Sequence, residues 1–272
     1  MDYAKINAIT KPLAIITGAS SGIGFELAKI FAKNGYDLVI VAENEQIFEA
    51  KHEIDLTGSK VHAYQIDLSN YTDVEEFYHI VKALERPIDV LALNAGIGVG
   101  GSFAKQTSLE DELTMINLNV VSTVHLAKRF VRRMLKVGSG KILFTSSVAS
   151  MIPGPFEAVY AASKAFVQSF ATALRNELSD SGITITVLMP GATETNFYHR
   201  AGMDNTKVGH SKKDDPAVVA QQAFDGLMAG KDHVISGSVM NSIESGISKI
   251  IPESLAAEIQ RQRSEPEAKT PF

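Results

Sequence analysis

The sequence predicts a single α/β domain built around a parallel sheet with helices on both faces. Three observations predict it. Short β-branched runs alternate with helical stretches up to about residue 236, several of these runs are apolar almost throughout, and a glycine-rich turn follows the first. Length agrees, because 272 residues with 45% hydrophobic content suffice to bury one large core.

Strands are expected near 12–17, 37–42, 60–65, 88–93, 140–146, 183–189 and 233–236, giving a doubly wound, seven-stranded Rossmann-type sheet. Runs such as IDVLALN and ITITVLM lack the alternation of a half-exposed strand, as strands covered on both faces should. Helices are expected over 22–34, 43–57, 71–85, 107–137, 157–180 and 216–230, with Ser108 and Asp73 as capping residues. Residues 192–215 break the rhythm: they are polar, mixed and without a clear period, and such an insert in a compact domain reads as a lid, with room for short helices. The expected division is therefore 1–236, the dinucleotide-binding and catalytic domain with its lid, and 237–272, a C-terminal helical extension. The end of that extension, SEPEAKTPF, reads as poorly ordered.

Composition narrows the function. The net charge is −5, with Lys and Arg scattered along the chain, so no nucleic-acid footprint is expected and any bound phosphate must be held mostly by backbone. There is no cysteine, which excludes disulfides, thiolate metal sites and a cysteine nucleophile, and fits a reducing cytoplasm. The seven histidines form no H-E-x-x-H or comparable grouping, so no metal is expected. The N-terminus carries Asp2 and Lys5 and leads into a glycine motif without a long apolar stretch. No apolar run approaches the roughly 18 residues that a span requires, so no membrane partner is expected.

The segment LAIITGASSGIGFELAKIFAKNG sets a buried strand, then Gly18, Gly22 and Gly24, then an amphipathic helix in close succession. Glycines permit the tight turn and let backbone N–H groups approach a pyrophosphate, while the helix N-terminus adds favourable partial charge. The spacing is G-x-x-x-G-x-G, and the phosphate contacts are expected from Gly18, Ser20, Ser21, Gly22, Ile23 and Gly24.

Taken in order, TGASSGIG, NAG at 94–96 and YAASK at 160–164 resemble the short-chain dehydrogenase/reductase family, the likeness running from about Leu13 to Gly191. The resemblance implies a nicotinamide cofactor and a Ser-Tyr-Lys centre assisted by an Asn. It also implies a subunit contact through the helices around 107–137 and 157–180, hence a homodimer or homotetramer. Glu43 ends the second strand, where a carboxylate accepts hydrogen bonds from a ribose hydroxyl and repels a 2′-phosphate. NAD is therefore preferred over NADP, although an acid at a helix start is favourable in its own right. Asp67, followed by Leu68, resembles the family's adenine-contacting Asp; a turn or helix cap is the alternative. Asn94, Ala95 and Gly96 follow the fourth strand, where small residues let a cofactor lie close to backbone, and Leu93 stands where the family often has a second Asn.

Tyr160 and Lys164, four apart on a helix, share one face. Bringing a tyrosine from pH 10 to near neutrality takes about 4 kcal/mol of differential stabilisation. An adjacent ammonium and a positive nicotinamide ring are the expected sources. Tyr160 then exchanges a proton with a substrate oxygen while hydride moves. Ser147, thirteen residues earlier, matches the family's catalytic Ser and is preferred to Ser146. Asn119 matches the Asn that orients water beside the lysine, and Asn117 faces elsewhere on a helix. Pro190 and Gly191 end the sixth strand, with Thr195 or Thr193 as the nicotinamide-carboxamide contact. Phe197, Tyr198 and Met203 either line a pocket for a hydrophobic carbonyl compound or fasten the lid. The expected activity is NAD(P)-dependent interconversion of an alcohol and a carbonyl. The competing readings are a non-catalytic nicotinamide-binding regulator, and an isomerase or dehydratase with no net redox change.

Overall fold

The computed structural model describes residues 11–237 and 252–267. The expectations for residues 1–10, 238–251 and 268–272 fall outside the described residues. Seven parallel strands, β1 (Leu13–Thr17), β2 (Asp37–Ala42), β3 (Val61–Gln65), β4 (Val90–Leu93), β5 (Gly140–Thr145), β6 (Ile183–Pro190) and β7 (His233–Ser236), lie in the order β3-β2-β1-β4-β5-β6-β7. The order reverses between β1 and β4, and a cleft opens outside the carboxyl ends of the strands at such a point.

The helices are α1 (Gly22–Lys33), α2 (Gln46–Asp55), α3 (Tyr71–Ala83), α4 (Leu109–Ile116), α5 (Thr123–Val137), α6 (Ala158–Glu177), α7 (Phe197–Arg200), α8 (Lys207–His210), α9 (Pro216–Met228) and α10 (Glu253–Ser264). Period-two alternation sends Leu13, Ile15, Val39 and Val41 to one face, against Phe77 of α3, Phe130 of α5 and Val167 of α6. Ala14, Ile16, Leu38 and Ile40 go to the other, against Phe31 of α1, Ile47 of α2 and Phe224 of α9. Both faces are covered, which is why the strands read as unbroken apolar runs.

Three expectations are revised. The helix expected over 107–137 is interrupted: after α4 comes one wide π turn, Asn117–Ser122, before α5 begins. Ser108 caps α4, its hydroxyl accepting from Asp111 N at 3.1 Å, whereas Asp73 lies inside the first turn of α3 behind Asn70. The opening of the tail is also tied down, since Thr206 bridges Pro266 and Glu267 N donates to Asn205 O at 2.9 Å. Among the described residues no helix is long and apolar enough to cross a membrane.

Candidate active site

A cleft of about 490 Å³ runs along the carboxyl edge of the sheet, from the glycine turn at one end to Tyr160 and α10 at the other. The turn has its shape because Gly18 and Gly22 hold φ of +67° and +59°, which side chains rarely adopt. At Gly24 a Cβ would overlap the Gly18 carbonyl oxygen and lie 2.5 Å from Asn94 Nδ2. With these constraints met, the N-terminus of α1 opens onto the cleft beside Ser20, Ser21 and Ile23.

Strand ends are stitched together by polar groups. Thr17 Oγ1 accepts from the N–H of both Asn94 and Ala95 at 2.9 Å, and Asn94 Nδ2 donates to Thr17 O at 3.1 Å. Asn94 Oδ1 in turn accepts from Thr145 Oγ1 at 3.2 Å, and the Thr145 carbonyl accepts from Lys164 Nζ at 3.1 Å. Backbone of β1, side chains of β4 and β5 and the lysine of α6 thus form one connected set. Thr17 and Thr145 were missed in the sequence; their signal was a threonine closing each apolar run, LAIIT and KILFT.

At the inner end of the cleft, the Ser147 hydroxyl is hydrogen-bonded to the Tyr160 phenol and accepts from Ala149 N at 3.1 Å. Ser146 points elsewhere and donates to Lys164 O at 2.8 Å. Lys164 Nζ lies 5.8 Å from the centre of the Tyr160 ring. Burial lowers its pKa to about 8. Burial also pushes the Tyr160 phenol above its ordinary value, further raised by Glu157 and Tyr198 and opposed by the Ser147 hydrogen bond. Within the protein's own groups burial outweighs the Ser147 hydrogen bond, and the lowering expected from a positive nicotinamide ring belongs to the cofactor-bound protein.

Asn119 is buried while Asn117 is exposed. Its Nδ2 donates to Ile97 O at 2.9 Å and Ser163 Oγ at 3.1 Å, and its Oδ1 accepts from Ile97 N at 3.0 Å. Three of the amide's four hydrogen-bonding positions are thereby committed to protein. The side chain clamps the strand-end loop beside Lys164, and Gly96 fits between the two.

Glu43 lines the cleft at the end of β2 and pairs with Arg200 of α7 at 3.4 Å, a cation unforeseen in the sequence. Asp67 does not reach the cleft: its carboxylate caps its own turn, accepting from Ser69 N at 2.9 Å and Asn70 Nδ2 at 3.0 Å. Leu68 is buried in the core. Pro190, Gly191, Thr193 and Thr195 all line the cleft. Thr193 Oγ1 turns back to Gly191 O at 3.0 Å, while the Thr195 methyl lies against Gly22.

Met203 is buried with Ala201 and Val208 in a small cluster of the lid, while Phe197 and Tyr198 pack against that cluster and also line the cleft. The rings of Phe197 and Tyr160 have their centres 5.2 Å apart. Backbone bonds between Ala192–Glu194 and Asp214 close the base of the insert, and Gly100 N donates to Ala201 O at 2.8 Å to fasten its tip. Glu157 and the α10 residues Ala256, Ile259, Gln260 and Arg263 also line the cleft. No sequence signal pointed to them.

A seven-stranded parallel sheet with a glycine turn and a Ser-Tyr-Lys cluster in one cleft defines a Rossmann-type α/β protein with an enzyme-like centre. Residues 12–205 match the family described as short chain dehydrogenase. The oxidoreductase UcpA of Salmonella typhimurium is 31% identical over 212 residues, 78% of each chain. Among solved structures, a short-chain dehydrogenase from Sphingobium yanoikuyae in complex with NADPH superposes with a TM-score of 0.77 at 30% identity, covering 89% of this chain and 97% of that one. A bulky-bulky ketone specific alcohol dehydrogenase from Comamonas testosteroni gives 0.73 at 26%, covering 91% and 98%. The chain belongs to the short-chain dehydrogenase/reductase family of oxidoreductases.

Proposed function

We propose that the protein interconverts an alcohol and a ketone or aldehyde with a nicotinamide dinucleotide, Tyr160 acting as general acid and base. The observation that carries this reading is the Ser147–Tyr160 hydrogen bond inside the cleft that begins at the glycine turn. The residues present suit the cofactor, because the turn packs so tightly that a Cβ at Gly24 would overlap the Gly18 carbonyl, and the N-terminus of α1 is left facing the cleft. Gly18, Ser20, Ser21, Gly22 and Ile23 would hold its phosphates, and Thr195, Pro190 and Gly191 its nicotinamide end. When bound, that ring supplies or accepts the hydride.

The chain's own groups do the rest. The Ser147 hydroxyl holds the substrate oxygen and stabilises the charge that develops there. Tyr160, kept protonated by burial, delivers its proton to a carbonyl oxygen in the reduction direction. Lys164, with its pKa lowered to about 8, is still mostly charged at neutral pH and stands ready to restore that proton. Asn119 fixes Gly96 and Ile97 against the lysine.

Two cofactor readings have support. Glu43 at the end of β2 favours NAD, through a ribose hydroxyl and repulsion of a 2′-phosphate. Arg200, 3.4 Å from that carboxylate, favours NADP by offering a phosphate its charge, and the Sphingobium relative was solved with NADPH. Fluorescence titration with NADH and NADPH separates them; NAD remains the preferred reading, and tighter NADPH binding would reverse it.

Tyr160→Phe tests the chemistry. Turnover should fall at least a thousandfold while NADH affinity stays within about twofold, because the hydroxyl moves a proton and holds no phosphate. A wild-type protein that consumes no NADH with any ketone or aldehyde would favour the regulator or isomerase readings instead. We also infer a homo-oligomer, supported by Leu109, Leu113, Val121 and Phe166, all exposed along α4, the π turn and α6. Sedimentation at micromolar concentration should give at least twice the 29.4 kDa chain mass, and a monomer would remove the inference.

A further inference from the structure

Glu157 is a carboxylic acid in a place that the chemistry above does not use. It sits at the start of α6, three residues before Tyr160, and is only 6% exposed. Its partners come from α10: the side chains of Gln260 and Ser264 hydrogen-bond to it, and both are themselves buried. Gln260 Nε2 also donates to Ser264 Oγ at 3.1 Å, so the three groups close on one another. Next to them the Arg261 guanidinium lies 5.5 Å over the Phe156 ring.

The far end of α10 is tied to the other side of the cleft. Thr206 pairs with Pro266, and Glu267 N donates to Asn205 O at 2.9 Å, both partners belonging to the lid. The helix therefore spans from the catalytic helix to the lid, across the end of the cleft where Tyr160 lies. The side it turns inward carries Ala256 and Ile259 together with Gln260 and Arg263, facing a cleft also lined by Met151, Ile152, Phe197 and Tyr198. That is a chamber with an apolar stretch between Ile259 and Phe197, closed on one side by a helix that a buried polar clasp holds in place.

We propose that Glu157 is a positioning residue whose clasp on Gln260 and Ser264 seats α10 as the outer wall of the substrate chamber, selecting carbonyl compounds by size. The selection half of this statement rests on the proposed function, since it takes the Tyr160 end of the cleft as the substrate end; the clasp itself does not. With the wall seated, an extended apolar ketone is enclosed between Ile259 and Phe197. With the wall loose, the same ketone loses that enclosure, while a small one such as acetone, which does not span the chamber, loses little.

The test compares wild type with Glu157→Ala, Glu157→Gln and Ser264→Val. Hydrogen exchange of the amides of 253–264 reads the clasp directly, without turnover. KM and kcat for a series of dialkyl and aryl ketones, with acetone as the small reference, read the selection. Glu157→Ala and Ser264→Val should each speed exchange in α10 at least tenfold. They should also raise KM for the bulkiest ketones at least fivefold more than KM for acetone. Glu157→Gln keeps a carbonyl oxygen for Gln260 and Ser264 and should recover most of both effects. Unchanged exchange in the alanine and valine variants would overturn the clasp. Faster exchange with KM rising equally for every ketone would overturn the selection. If the wild type reduces no carbonyl compound, the proposed function and the selection fail together, and the exchange measurement alone decides the clasp.

Discussion

Replacing Thr17 with valine removes one oxygen atom from the end of β1 and keeps the shape of the side chain. In the native protein that oxygen, on a residue 2% exposed, accepts from two backbone N–H groups, those of Asn94 and Ala95, each at 2.9 Å. A donor left without a partner away from water costs about 1–3 kcal/mol. Both donors are only partly buried, so the lower part of that range applies to each, and the variant should lose about 2–4 kcal/mol. Against a typical stability of about 5–15 kcal/mol this is a large fraction. Thr17→Ser keeps the acceptor and gives up one methyl group, a loss of about 1 kcal/mol. Urea unfolding followed by circular dichroism should therefore order the proteins as wild type, serine, valine. The NADH affinity of the valine variant should fall as well, because Asn94 and Ala95 line the cleft. A valine variant as stable as the serine variant would refute the reasoning, since the loss of two accepted hydrogen bonds would then cost no more than one methyl group.

Gly24→Ala should weaken NADH binding at least tenfold in a fluorescence titration, because the new Cβ would displace either the Gly18 carbonyl or the Asn94 amide. An unchanged Kd would mean that the turn relaxes freely. Glu157 should make stability depend on pH. Burial raises its pKa from 4.5 to about 7 in a setting that includes Arg263 of α10, Tyr198 of α7 and Tyr160 of α6. Below pH 4.5 the folded and unfolded chains both hold the proton and the group contributes nothing. Between 4.5 and 7 the unfolded chain releases it first, so stability falls as pH rises, by about 3 kcal/mol in all. In Glu157→Gln that part of the slope should vanish, and a urea-unfolding series from pH 4 to 8 with parallel curves for the two proteins would contradict it.

Much of the fold was legible because the feature that builds it is local. A strand covered on both faces is apolar almost throughout, and ITITVLM declares this within seven residues. The glycine turn was legible for a similar reason: the backbone demands of a tight turn against a helix N-terminus fall on neighbouring residues. Other features depend on partners far along the chain. The π turn at Asn117–Ser122 leaves the apolar pattern of 107–137 unbroken, so the period alone reads as one helix. Asp67 carries the same signature whether it caps a turn or meets an adenine, and its two hydrogen bonds to Ser69 and Asn70 show the cap without bearing on the adenine. The clasp on Glu157 joins residues about a hundred positions apart, and neither segment carries a mark of the other. The rise in the Tyr160 pKa was hidden for a further reason: sequence spacing brings a cation near the phenol but says nothing of how much water both have lost.

The hydrogen-bonded set that begins at Thr17 and ends at Lys164 links two tasks that a protein engineer would wish to adjust separately. The floor of the phosphate turn and the anchor of the ammonium share a scaffold only two side chains wide, Asn94 and Thr145. A graft that transplanted the glycine turn alone would leave Asn94 without its carbonyl partner and, one step on, Thr145 without its acceptor. Retuning the grip on a dinucleotide in this protein therefore means redesigning the seat of its lysine in the same round.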